Sequence, residues 1–220
     1  MTRKGYITTL AVTFGALWTG LAIAPYDRAD WALENVLIVV GIGVLVATRR
    51  VLPLSNASYG LLFAFLCLHA VGAHYTYSLV PWDDALRSMS GASLSELFGA
   101  TRNHYDRVVH LAYGLLLVLP LREWLMRHAG VRGFWSYFLP MDVVLSTSAL
   151  YELIEWAAAL LFGGGLGAAF LGTQGDEWDT HKDMALAALG ALVATLVIWA
   201  LNRARGRDGR LEWLRRTEGA

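Results

Sequence analysis

Three pairs of ionisable residues stand one helical turn apart in or beside apolar stretches of this 220-residue chain. Asp106 and His110 are i and i+4 at the head of "LAYGLLLVLPL", Glu152 and Glu155 are i and i+3 within "YELIEW", and Asp179 and Asp183 are i and i+4 before the last apolar run. On a helix each pair shares one face. Carboxylates and imidazoles without thiolates form a hard to borderline ligand set, suited to Zn, Mn, Mg or Fe. Two carboxylates one turn apart in an apolar helix repel each other unless a proton, a cation or a metal intervenes. A bound divalent ion would polarise a phosphoryl or carbonyl oxygen and acidify a water. The sequence therefore offers His110, Glu152, Glu155, Asp179 and Asp183 as metal ligands, with His74 and Asp106 for proton transfer. Arg107, rotated ~100° from Asp106 on a helix, is the cation expected to meet an anionic substrate at the rim.

Such residues need elements to hold them, and the composition says which. Hydrophobic residues make up 56 % of the chain against 16 % charged, and the mean hydropathy is +0.45; the apolar residues come in long blocks, as in an integral membrane protein. Six blocks, at roughly 7–24, 33–47, 57–80, 106–121, 141–162 and 183–201, approach the ~20 residues that cross a bilayer core. In hydrocarbon only helices or closed barrels satisfy every backbone group, and strand-like alternation is absent. The expected fold is all-α: a polytopic transmembrane bundle of about six membrane-spanning helices over residues 1–202, with a basic tail at 203–220. Arg3, Lys4 and the pattern Ala22-Ile23-Ala24 also suit a secretory signal, but the length of the run and Pro25 favour a retained first helix. The single Cys67 excludes an intrachain disulfide.

Thirteen of the eighteen basic residues fall in the N-terminus, the loop with Arg49 and Arg50, the loop with Arg122, Arg127 and Arg132, and the tail. By the positive-inside rule these segments, and so both termini, are cytoplasmic. Asp27, Asp30, Asp83, Asp84, Asp176 and Glu177 crowd the alternate loops. With that orientation all three ionisable pairs, and every histidine except His128, belong to the outer half of the bundle. Gly114 and Gly190 lie on the same faces as His110 and Asp183, where small residues let helices approach. Trp82, Trp156 and Trp178 suit an outer aromatic belt. The basic tail suits anionic lipid rather than nucleic acid, since no folded basic surface accompanies it.

The stretches "HYTYSLVP", "NHYDRVVHLAYG", "YELIEW" and "FLGTQGDEWDTHKDM" resemble the motifs of the YjdF family of bacterial inner-membrane proteins. That resemblance implies a multi-pass protein of the bacterial inner membrane and names no reaction. More distantly, the helix starts are similar to those of VanZ-like membrane proteins: Asp106 and His110 match an Asp-Lys-x-x-His element with Arg107 for Lys. Glu152 matches a Glu-x-x-Gln element with Glu155 for Gln, and Asp179 an Asp-x-x-x-Asn element with Asp183 for Asn.

Ionisable residues at membrane depth are functional by default unless they are paired. The leading expectation is a metal-dependent hydrolase or transferase acting at the outer face on a lipid headgroup or lipid-linked envelope substrate. An ion- or proton-coupled transporter and a non-catalytic assembly partner are the alternatives. No HExxH, GxSxG or Walker sequence narrows the choice, and the Gly-rich "GGGLGAAFLG" follows a helix, so it reads as a flexible or re-entrant outer connection rather than a phosphate loop. The plain readings are an interfacial ion pair of Asp106 with Arg107, helix-dipole acids at Asp106, Asp176 and Asp183, and core histidines at His69 and His74. Oligomeric state is not legible.

Overall fold

Local capping chemistry starts the first three helices. Thr2 Oγ1 accepts the Gly5 N–H at 3.2 Å and opens α1, Arg3–Leu21; Asp27 Oδ1 accepts the Ala29 and Asp30 N–H groups at 2.8 and 2.9 Å and opens α2, Arg28–Thr48; Ser55 Oγ accepts the Ser58 N–H at 3.1 Å and opens α3, Asn56–His74. Each cap satisfies donors that a helix start otherwise leaves unpaired. This is a computed structural model, and it describes residues 1–48, 51, 53–92 and 102–205. Among them the chain forms eight helices and no strand. The remaining five are α4 (Trp82–Ser90), α5 (Tyr105–His128), α6 (Trp135–Phe162), α7 (Gly164–Leu171) and α8 (Asp179–Ala204). Arg49, Arg50 and the tail from Arg207 onward, used above for orientation, lie outside the described residues.

Among the described residues five helices, α2, α3, α5, α6 and α8, are long and apolar enough to cross a membrane. The sixth expected span, α1, is diluted by Arg3, Lys4 and four threonines. Its contacts nonetheless run the length of α3: Arg3 Nη2 donates to Leu54 O at 2.6 Å at one end, and His74 Nδ1 donates to Leu21 O at 2.7 Å at the other. The two helices are therefore parallel, with α2 antiparallel beside them, tied by Trp18 Nε1 donating to Asn35 Oδ1 at 2.5 Å. Phe14, Ile38 and Ala70 form the buried contact of this trio.

The bundle has two chemically different ends. At one, Arg127 donates to Pro53 O (3.3 Å), Glu123 accepts the Ser55 N–H (2.8 Å), and Arg122 donates to Ser136 Oγ (3.2 Å) under the ring of Tyr137. At the other gather Asp27, Asp30, Glu34, Asp106, Glu152, Asp176, Asp179 and Asp183. Between the ends α5, α6 and α8 share an apolar core of Val118, Val144, Ala187, Ala191 and Ala194.

α5 and α8 approach until backbone meets backbone. A Cβ added at Gly114 would overlap the carbonyl oxygen of Ala187, and one at Gly190 that of Leu111. This is the close approach the two glycines predict. The glycine-rich stretch after α6 is not irregular. Gly163 and Gly164 turn the chain at φ 59° and 53°, and α7 folds back on α6 with Gly167 over Ala159.

Candidate functional site

At the acidic end, α5, α6 and α8 direct four side chains toward one another. His110 Nε2 lies 3.5 Å from Asp106 Oδ1 and 3.7 Å from Glu152 Oε1. One ligand atom from each of Asp106, His110 and Asp183 falls within 4.8 Å of the other two. These separations exceed hydrogen-bond length, so the groups face a shared space rather than bond to each other. His110, Glu152 and Asp183 are only 8, 6 and 2 % exposed, and Glu152 Oε1 and Asp183 Oδ1 are buried without a hydrogen-bond partner. Buried oxygens of this kind are costly unless something else satisfies them. The α5–α8 seam at Gly114 brings the His110 and Asp183 backbones close enough for this convergence.

Above this group lies a ring of compensated charge. Arg102 binds Asp179 and lies 3.6 Å from Asp176, while Arg107 binds Asp176 and lies 3.4 Å from Asp179. Lys182 Nζ reaches both oxygens of Asp176, at 2.6 and 2.9 Å. The lysine contact, the Trp178 N–H and Arg107 hold the Asp176 carboxyl well below the usual carboxylate range. Burial, then Arg107 and Arg102, push the neighbouring His104 imidazole down. The loops carrying these residues are clasped by Asn103: its N–H donates to Gln174 Oε1 (2.9 Å), its carbonyl accepts from Gln174 Nε2 (3.1 Å), and its side chain accepts from Trp82 Nε1 (2.7 Å) and the Tyr105 N–H (2.9 Å).

A second polar group, from α2, α3 and α6, adjoins the first. Tyr151 donates to Glu34 Oε2 at 3.1 Å, and His69 Nε2 lies 3.1 Å from the Glu34 carbonyl. A carbonyl only accepts, so Nε2 carries the proton and Nδ1 accepts from the Tyr77 hydroxyl. Tyr77 reaches His69 because Thr76 and Tyr77 both take left-handed backbone, φ 53°, and fold the ring over Gly72, where a Cβ would strike it. A cavity of about 330 Å³ joins the two groups, with Asp106 and His110 on one wall and His69, Tyr77 and Tyr151 on another.

Residues 6–204 match the family described as "Predicted membrane protein (DUF2238)". The chain is also 40 % identical over 192 residues to Inner membrane protein YjdF of Escherichia coli (strain K12), covering 87 % of each protein. The chain belongs to the DUF2238 family. No solved structure matches it. This DUF2238 member is an integral membrane protein located, as that relative is, in the inner membrane.

Within the DUF2238 fold the residues singled out from sequence separate into four sets. Asp106, His110, Glu152 and Asp183 come together. Glu155 sits on the Tyr151 side, among the charges of Asp106, Glu152 and Glu34. Asp179 and Arg107 are drawn into the ion-pair ring, so Asp179 faces two guanidinium groups and Arg107 two carboxylates. His74 is not brought to the cluster, because its Nδ1 is bonded to the end of α1. The sequence reading missed Glu34, Tyr151 and Arg102. Asp30 and Glu34 in "DWALENV" have the same i, i+4 spacing as Asp106 and His110, and that signal was available. Asp30 is 1 % exposed with neither carboxylate oxygen bonded. The pairing of Arg102 with Asp179 spans 77 residues and has no local signature.

Proposed function

We propose that this protein is a metal-dependent hydrolase or transferase acting, at the outer face of the inner membrane, on a lipid headgroup or lipid-linked envelope precursor. The observation that carries the reading is the convergence of Asp106, His110 and Asp183 beside the unpartnered oxygens of Glu152 and Asp183. Asp106, His110 and Asp183 would hold the ion, a hard to borderline set suited to Zn, Mn, Mg or Fe. When bound, the ion polarises a phosphoryl or carbonyl oxygen and acidifies a water. Glu152, next to His110, is positioned to take a proton from the attacking hydroxyl. Arg102 and Arg107 act through Asp176 and Asp179, fixing the loop above the site and the start of α8.

Two observations favour this reading over its rivals. A transporter needs polar groups through the bundle, whereas Val118, Val144, Ala187 and Ala191 form an apolar layer between His110 and the Arg122–Ser136 contact. An assembly device would have its acids paired, as Asp176 and Asp179 are, not left with buried open oxygens as in Glu152 and Asp183. The test is metal analysis of detergent-purified full-length protein, stripped with chelator and then titrated with Zn or Mn. One ion per chain, lost in both His110→Ala and Asp183→Asn while each keeps its cooperative melt, is the expected result. A folded parent that takes up neither metal overturns the proposal.

A further inference from the structure

The cavity beside the site is lined mainly by apolar and aromatic side chains. Asp106, His110, His69, Tyr77 and Tyr151 line its part at the acidic end, and deeper lie Leu37, Leu66 and Leu150 with Ser148 and the hydrogen-bonded hydroxyls of Tyr113 and Thr147. Leu37 lies near the midpoint of α2, and Leu150 near that of α6, which is the depth of the hydrocarbon core. Leu37, Leu150 and Ile154 are also 44, 55 and 45 % exposed, so they form the mouth as well as the wall. The hydrogen bond from Tyr151 to Glu34 ties α2 to α6 at this level, and the cavity opens beside that tie, sideways into the bilayer.

We infer that this cavity receives one hydrocarbon chain of a membrane lipid, entering between α2 and α6, with the lipid's polar group set against Asp106 and His110. An apolar wall at hydrocarbon depth is favourably covered by a chain and not by water. A volume of about 330 Å³ lies at the small end of the ~300–1,000 Å³ typical of ligand pockets, which suits a segment of a single chain and not a whole diacyl lipid. The acid and the imidazoles, all at the outer end, fix the orientation. A lipid of the outer leaflet carries its headgroup outward and its chains toward the centre, and the cavity runs the same way, from Asp106 and His110 down to Leu66 and Leu150. The occupant is thereby specified as an amphiphile presented from the membrane, one chain in the cavity and any second chain left in the bilayer. This inference rests on the proposed reactive role of Asp106 and His110 for its purpose, but not for its geometry.

The experiment uses full-length protein in phosphatidylethanolamine and phosphatidylglycerol vesicles containing a phospholipid with a mid-chain diazirine. After irradiation, labelled positions are mapped by mass spectrometry. Labelling of Phe65 and Tyr113, which line the cavity, together with Leu150 is expected. Leu150→Trp, a change at a half-exposed mouth position that leaves the core untouched, should lower the label on Phe65 and Tyr113 several-fold. Label confined to outward residues such as Leu160, Leu161 and Val193 overturns the inference. So does protection of Leu150 and Ile154 by a second copy of the chain covering the mouth. Metal content measured on the same preparations separates the two proposals. Cavity label without metal sustains the chain site and removes the metal reading; metal without cavity label does the reverse.

Discussion

Gly114 on α5 lies so close to the Ala187 carbonyl on α8 that no Cβ fits between them. One turn before Gly114 stands His110 and one turn before Ala187 stands Asp183, so this backbone contact sets the width of the gap between imidazole and carboxylate. Gly114→Ala must push the helices apart. Overpacking of this kind costs about 1–3 kcal/mol, read as a lower melting temperature in detergent. Because the displacement widens the His110–Asp183 gap, the variant should also bind Zn or Mn more weakly than the parent. Unchanged stability and affinity would refute the role given to the seam.

The ion-pair ring should be unequal in its energetics. Arg102 and Asp179 are both nearly buried, whereas Lys182 is about half exposed at its contact with Asp176. Arg102→Ala removes the shorter guanidinium contact of the buried Asp179 carboxylate, leaving only Arg107 at 3.4 Å, and should destabilise by up to about 3 kcal/mol. Lys182→Ala should cost no more than about 1 kcal/mol. Adding Asp179→Asn to Arg102→Ala should recover part of the loss, and the double-mutant comparison by thermal melts checks it. Equal losses for Arg102→Ala and Lys182→Ala would mean that burial does not decide the ranking.

Two neighbouring groups titrate in opposite senses relative to the charge they carry. His104 has a folded pKa below its unfolded value, so the unfolded chain takes up its proton first as pH falls through about 6.5. Stability from this group is present above that pH and declines below it; His104→Gln should flatten the slope of melting temperature between pH 7 and 5. Asp176 also has a lowered pKa, so its contribution is intact above the ordinary carboxylate value of about 3.9 and fades only as pH falls further. The difference between parent and Asp176→Asn should therefore stay level from pH 7 to about 4.5 and shrink below it. A steady loss of that difference from pH 7 downward would contradict the ion-pair assignment.

Orientation can be read from single cysteines. Ser90 and Ala129 are exposed at opposite ends of the bundle, and the positive-inside rule puts Ser90 outside and Ala129 in the cytoplasm. In intact cells a membrane-impermeant maleimide should label Ser90→Cys, and it should label Ala129→Cys only after permeabilisation. Cys67, half-buried within α3, supplies the background, removed with Cys67→Ala. External labelling at Ala129 would invert the protein and move the proposed site to the cytoplasmic face.

Losing a hydroxyl from the second polar group should be felt across three helices. Tyr151→Phe removes the donor to Glu34 and leaves a buried carboxylate oxygen unsatisfied, at a cost of about 1–3 kcal/mol. Tyr151→Phe combined with Glu34→Leu should recover part of it. If the single variant melts like the parent, the α2–α6 tie is not made through this hydrogen bond.

What the sequence by itself determined is local in origin. Long apolar blocks specify membrane helices because each such block must satisfy its own backbone in hydrocarbon, and the loop charges assign sides because each loop is counted alone. The shared face of Asp106 and His110, and the glycines that admit a close neighbour, follow from helical repeat within one segment. Which partner each side chain takes was decided only by the tertiary structure. Asp179 and Asp183 look alike in sequence, yet Asp179 meets Arg102 from a loop 77 residues away, while Asp183, one turn deeper, faces His110. His74 turns to Leu21 because α1 lies parallel to α3, and Glu34 joins the second polar group because α2 brings it to Tyr151. Local spacing fixes the direction of a side chain from its own axis; what it meets depends on the approach and rotation of other helices. Those are set by backbone contacts such as Gly114 on Ala187, between segments far apart in the chain.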